Sequence, residues 1–231
     1  MEGFTYVDIY ATKGIEYLLV ISGLLLFTFC WRFLSRPAVA IYREADGFVS
    51  AIGDWFRLPV EGAYFHQGHS WAIPEGGGVV RVGVDDFAQK LLGKIDAIKL
   101  PQVGSQISQG EKVWSLLVGS KRIDMLAPVN GKIVEINENL LKSPEGIGKD
   151  PYGQSWLLKV QAPKISTDVK NLLSGELARK WMEGVKENLL ARMNYNLGAV
   201  SQDGGVPVDG IARNLDRERW EEIVKDFFLI S

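Results

Sequence analysis

Residues 118–131 read VGSKRIDMLAPVNG, two apolar runs on either side of a short polar turn that carries Lys121. The segments ISQGEKVWSLLVGS, MLAPVNGKIVEIN and DPYGQSWLLKV are short strand-forming runs broken by glycine, proline or asparagine. Breaks of this kind about every ten residues point to a compact β-sandwich or barrel.

Working outward toward the start of the chain, IDAIKLP alternates like a strand. Ahead of it, DDFAQKLLG holds Asp85 or Asp86 where a helix cap belongs, and Gly93 where a helix running through Leu92 would end in the left-handed conformation. The turn PEGGG leads into the alternating residues VVRVGV, preceded by the aromatics Tyr64, Phe65 and Trp71. Gly76, Gly77 and Gly78 raise the question of a phosphate cradle. No helix-opening GK[ST] and no second glycine pair follows, so the glycines read as a turn. After Pro163 the pattern becomes helical with LLSGELARKWMEGVKENLLARM, then breaks at SQDGGVPVDG before a last amphipathic helix, LDRERWEEIVKDFFLI. Phe227, Phe228, Leu229 and Ile230 are costly to leave in water, so a docked tail is expected. The tryptophan-bearing stripes of these two helices read as core or subunit contacts.

Residues 15–34, IEYLLVISGLLLFTFCWRFL, carry charges only at Glu16 and Arg32. A 20-residue apolar run matches the length of helix that crosses a hydrocarbon core, and it is expected to be a transmembrane helix. A cleaved signal peptide would place basic residues before the run, whereas here Glu2 and Asp8 precede it with only Lys13, and Arg32, Arg36 and Arg43 follow. That asymmetry predicts a single pass through the cytoplasmic (inner) membrane, with the N-terminus outside and the C-terminal domain in the cytoplasm. Tyr17 and Trp31 suit interface anchors, and Pro37 closes the helix. In the segment that follows, Phe48, Val49, Ile52, Trp55 and Phe56 stand at helical spacing with Asp46 placed to cap, predicting an amphipathic helix that lies on the membrane, meets a partner subunit or packs on its own domain.

The 231 residues, 46% hydrophobic and 23% charged, fit one comfortable domain or two small ones. A formal net charge of −2 without a basic block gives no footprint for nucleic acid. Cys30 is the single cysteine, which excludes an internal disulfide framework and a cysteine-built zinc site; within its apolar run it reads as a small buried hydrophobe.

The middle of the chain resembles the H protein of the glycine cleavage system, a lipoyl-domain carrier. The resemblance rests on GHSW at 68–71, VRVGVDDFAQKLLGKI at 80–95, LPQVGSQISQGE at 100–111, APVNGKIVEINENLLKSPEGI at 127–147 and DPYGQSWLLKV at 150–160, and it continues into LLSGELARKWME. It spans residues 66–185, about half of the chain. It implies a mainly β fold with flanking helices: a flattened lipoyl-type β-barrel of two hairpin sheets, here with an N-terminal transmembrane helix and C-terminal helices added. The expected divisions are 1–37, the N-terminal segment and transmembrane helix; 38–65, the amphipathic helix and linker; 66–163, the H-protein-like domain; and 164–231, the helical extension.

In that family one lysine at a hairpin tip, in a pattern like ESVKA, carries lipoate in amide linkage, and the arm moves an aminomethyl or acyl group or an electron pair between other proteins. The family's lysine stands seven residues before the alanine of an APVSG-like turn, and seven before Ala127 is Ser120. It also stands ten after the glycine of a GEE-like turn, and ten after Gly110 is again Ser120. Lys121 is therefore one residue late, Leu117 and Val118 replace the acidic and small residues ahead of it, and Arg122 adds a second cation. A one-residue shift matters because side chains alternate faces along a hairpin arm. The expectation is an unmodified tip with no cofactor; the alternative is lipoate on Lys121.

His66 and His69, the only histidines, could share a metal by spacing, but no further ligands accompany them and a structural role is expected. Asp85 and Asp86 are explained by capping. No serine or cysteine nucleophile stands in a motif with a base, so neither catalytic nor metal residues are assigned. The chain is expected to be a non-catalytic, membrane-anchored subunit of a membrane-bound respiratory or redox complex, contacting other subunits and the bilayer through the transmembrane helix, the Phe48 to Phe56 helix and the C-terminal helices. The alternative is a tethered carrier that uses Lys121 to shuttle electrons or one-carbon units between partner enzymes.

Overall fold

The structure is a computed structural model that describes residues 13–34, 48–51, 55–59, 61–197 and 209–230. It divides into residues 1–43 and 44–231.

The first unit contains helix α1, Lys13–Leu34, whose side chains are described over residues 17–28. Leucine, isoleucine and valine positions on every side of these turns are exposed, and no polar face alternates with them. Among the described residues, no helix is long and apolar enough to cross a membrane. The 20-residue spanning segment read from the sequence includes positions beyond those described side chains, Cys30 and Trp31 among them. Arg36, Pro37, Arg43 and Asp46 lie outside the described residues.

In the second unit the chain alternates apolar and polar residues, and the strands follow that period. Strands β1 (Phe48–Ala51) and β2 (Phe56–Pro59) pair antiparallel, with Ala51 opposite Phe56. This replaces the amphipathic helix expected around Phe48 to Phe56, whose residues 52–54 lie outside the described residues. The reason is tertiary. Phe56 and Leu58, two apart, are both buried, Phe56 meets the Phe87 ring edge-on at 5.0 Å, and the intervening Arg57 N–H donates to the Asp86 carboxylate at 2.9 Å. Only a two-residue period serves those three contacts together, so packing overrides the helical spacing of the apolar residues.

Strands β3 (Tyr64–His66), β4 (Ser70–Gly76) and β5 (Val79–Val84) run as a meander, closed between β4 and β5 by the Gly76 to Gly78 turn. Helix α2 (Asp86–Leu92) begins where expected: the Asp85 carboxylate accepts from the Ala88 N–H at 2.8 Å. It ends at Gly93 with φ 72°, a conformation that residues with a Cβ adopt at a cost. Strands β6 (Ala97–Lys99), β7 (Gln106–Ile107), β8 (Lys112–Val118), β9 (Lys121–Leu126), β10 (Gly131–Ile136) and β11 (Leu158–Gln161) follow, with the short helices α3 (Glu138–Lys142) and α4 (Ile165–Asp168) between and after them.

The long helix α5 (Gly175–Leu197) then leads to α6 (Ile211–Leu215) and α7 (Trp220–Phe228). Besides the β1-β2 pair, the strands form an antiparallel six-stranded sheet, ordered β3-β4-β5-β11-β10-β7, and a three-stranded sheet, β6-β8-β9. The fold is thus mainly β with flanking helices, its three sheets unequal in size. One apolar core unites Phe56, Trp71, Leu116, Ile133, Leu189 and Phe228, so residues from the β2 strand and from the C-terminal helices share a core with the central strands. The docked tail is observed: Phe227, Phe228 and Ile230 are buried, and only Leu229, in the left-handed conformation at φ 56°, turns outward.

Candidate functional site

The β8–β9 hairpin holds the counted carrier position. Val118 pairs with Lys121, leaving Gly119 and Ser120 as a two-residue turn. Gly119, at φ 62°, takes the first central place, where the tight hairpin turn with one positive φ demands glycine. Ser120 is exposed at the second central place, the apex, and Lys121 is the first residue of β9.

Strand parity then decides which way Lys121 leaves the hairpin. Directly opposed residues of an antiparallel pair share a face. Leu116 and Ile123 are opposed and both fully buried, and Val118, two residues past Leu116, is buried as well. Lys121, opposed to Val118 and two residues before Ile123, is therefore rooted on the core-facing side of the hairpin at its rim. From there its Nζ reaches Glu221 Oε2 of α7 at 2.6 Å. Glu221 also pairs with Lys225 at 2.8 Å. The hydrogen bond from Lys121, followed by that from Lys225, holds the Glu221 carboxyl below the ordinary glutamate value. Arg122 leaves from the opposite face, pairing with Asp124 at 2.8 Å.

Two further residues grip the turn. The Gly119 N–H donates to Asp96 Oδ2 at 2.6 Å. The Arg213 guanidinium of α6 lies over the Trp220 ring at 5.0 Å and stands 3.3 Å from where a Cβ on Gly119 would be. Beside the turn remains an open cleft of about 660 Å³, lined by Ser120, Lys121, Arg213, Arg217, Glu218 and Trp220 among others. Sequence reasoning found the turn and Lys121 but not Glu221, Arg213 or Asp96. Nothing local marks an acidic residue on one helix as the partner of a lysine 100 positions earlier.

The histidines do not converge on an open site. The His66 Nδ1 accepts from the Gly68 N–H at 3.0 Å, and burial, with His69 adding to it, lowers its pKa. His69 is buried with a positive φ of 62°, its Nδ1 2.7 Å from Asp85 Oδ2 and its ring stacked on Phe87 at 4.3 Å. Trp181 at 4.9 Å and Phe228 at 5.6 Å flank the same ring. Asp85 thus caps α2 with one oxygen and orients His69 with the other. Asp86 pairs with Lys90 at 2.9 Å and Arg57 at 3.1 Å. The Tyr152 hydroxyl donates to the Arg57 carbonyl at 2.8 Å, and its pKa is pushed well above the ordinary phenol value by burial and then by Asp85. Among the described residues, no group of three His, Cys, Asp or Glu side chains is arranged to hold a metal.

The profile of the "Glycine cleavage H-protein" family matches residues 63–185. This chain belongs to that family. The match starts at β3 and ends within α5, so it includes the hairpin, His69 and Asp85 but not β1, β2, α6 or α7. A probable glycine cleavage system H protein of Pyrococcus horikoshii is 35% identical over 123 residues, which is 53% of this chain and 91% of that protein. The glycine cleavage system H protein of Alteromonas mediterranea is 41% identical over 108 residues, 47% of this chain and 83% of that protein. The crystal structure of a glycine cleavage system H protein from Mycobacterium marinum covers 46% of this chain and 87% of its own, with 33% identity and a TM-score of 0.43. Helices α6 and α7, which carry Arg213 and Glu221, lie outside the matched residues.

Proposed function

We propose that this chain is a non-catalytic H-protein-like subunit that serves as a structural and docking component of a membrane-bound complex, respiratory or redox in character, and that its hairpin carries no lipoate. The observation that carries the reading is the turn itself: Ser120 occupies the apex, and Lys121 is rooted on the core-facing side with its amine on Glu221. A carrier's lysine must offer its amine for acylation, and the acylated arm must then swing through solvent to reach other proteins' sites. The absence of a nucleophile-and-base motif in the sequence accords with a non-catalytic role.

The membrane part of the reading rests on the sequence. The apolar run over residues 15–34 is long enough to span, and a helix apolar on all sides is suited to lipid rather than to water. Arg32, Arg36 and Arg43 after the run put the H-protein-like unit on the cytoplasmic side. Protease added to spheroplasts is expected to leave residues beyond 37 intact; their removal would refute this orientation.

The second reading is a tethered lipoyl carrier. It is favoured by the relatives, named as glycine cleavage system H proteins, and by the half-exposed Lys121 side chain next to the apex. Mass spectrometry of protein made in a lipoylation-competent host separates the two. An unmodified Lys121 peptide is expected, and a lipoyl adduct on it would establish the carrier.

A further inference from the structure

We propose that α6 and α7 form a built-in cap that takes the place of a partner on the β8–β9 hairpin end, with Glu221 as its latch on Lys121 and Arg213 as its bar across Gly119. The inference goes beyond the unmodified-tip reading, which concerns only what Lys121 carries: the cap concerns what can approach the turn at all.

The cap lies wholly outside residues 63–185, the part matched by the family, yet it is part of the core. Ile211, Leu215, Trp220, Val224 and Phe228 are all buried. Phe228 closes over His69 at 5.6 Å, so the cap is anchored on the same buried cluster that starts α2. Polar contacts tie the cap to α5, through Asp226 and Arg192 at 3.2 Å, to α2, through the Gly210 N–H and the Lys90 carbonyl at 2.8 Å, and to the hairpin end. Lys121 meets Glu221, the Arg213 guanidinium lies against the Gly119 turn, and Trp220 carries Arg213 on its ring. A surface ion pair alone would be too weak to hold such an arrangement, whereas burial of several large apolar side chains makes the docked state the resting one. An enzyme site that must receive the turn from all sides meets α6 and α7 on one of them.

Trace acetylation of the full chain with acetic anhydride, read peptide by peptide, tests the cap. Lys142, exposed on α3, serves as the internal reference. In the wild type Lys121 is expected to label more slowly than Lys142, and in Glu221→Gln its rate rises about threefold, the scale of a lost surface ion pair. Phe228→Ala should raise it further. The Glu221 change lies at the surface of α7 and keeps the test decisive should the Phe228 variant fail to fold. A Lys121 rate unchanged by Glu221→Gln overturns the cap, and without a lipoyl adduct it overturns the cap alone. An adduct on native Lys121 refutes the unmodified-tip reading. The full chain bearing Ser120→Lys, offered to a lipoate ligase beside a glycine cleavage H protein, should stay unmodified; modification as complete as that of the H protein also overturns the cap.

Discussion

The β4–β5 hairpin turns through Gly76, Gly77 and Gly78, and a Cβ on Gly76 or Gly77 would meet nothing within 4 Å. The β8–β9 hairpin turns through Gly119 and Ser120 with Asp96 on its backbone, Arg213 against its glycine and Glu221 on the lysine that follows. Both turns use positive φ, 59° and 77° at Gly77 and Gly78 in the first and 62° at Gly119 in the second, so each calls for glycine. What differs is the neighbour. Turn geometry is a property of a few adjacent residues, while the occupation of a turn's surroundings is set by elements far along the chain. Only the second turn has a helix pair folded against it.

The largest way to break this contrast is Phe228→Ala. The ring is fully buried against His69, and removing it should destabilise the unit by about 3–5 kcal/mol in a urea titration. If the loss is below about 1 kcal/mol, the cap is not part of the core.

Asp85→Ala comes next, because it removes the α2 cap and the acceptor for His69 together. Loss of a cap plus an unpaired buried ring nitrogen predicts about 2–4 kcal/mol. A loss no greater than that of a simple cap would show that the Asp85 to His69 contact contributes nothing.

The two turns can be compared directly by Gly77→Ala and Gly119→Ala. The left-handed backbone should cost about 1 kcal/mol at each, with Gly119→Ala the greater because the new methyl must also displace Arg213. Equal thermal shifts for the two variants would show that the cap does not press on the second turn.

Glu221→Gln has the smallest expected effect, about 0.5 kcal/mol, and it should shrink further in high salt. Its sign with pH follows from the lowered carboxyl value. A carboxylate favoured by the fold contributes stability fully above the ordinary glutamate value of 4.5, and that contribution is lost as pH falls through the lower folded value. The difference between wild type and variant in urea midpoint should therefore be constant near neutrality and vanish in acid. A difference that persists in acid would assign the stability to something other than the ion pair.

Much of this was written in local residue order. Asp85 and Gly93 announce α2 because capping and termination at a glycine of positive φ depend on residues within one turn of the helix ends, although Gly93, with ψ −134°, is not in the left-handed helical conformation expected for it. The alternation in KVWSLLV and KRIDML announces β8 and β9, and counting from Ala127 and Gly110 puts Ser120 at the apex found there. The residues from Phe48 to Phe56 were misleading because short apolar runs satisfy both periods, and the Phe56, Arg57 and Leu58 contacts with α2 choose the strand. Glu221 and Arg213 were invisible as parts of the hairpin end. An acidic residue in the first turn of a helix is already explained by the helix dipole, so its second role leaves no trace in composition or spacing.

The sequence by itself determined the H-protein-like core, the hairpin and the offset of Lys121, since these depend on the order of neighbouring residues and on counts along unbroken strands. Only the tertiary structure decided where the lysine goes. Cross-strand pairing with Val118 roots it on the core-facing side of the rim, and burial of Phe228 brings Glu221 there to meet it.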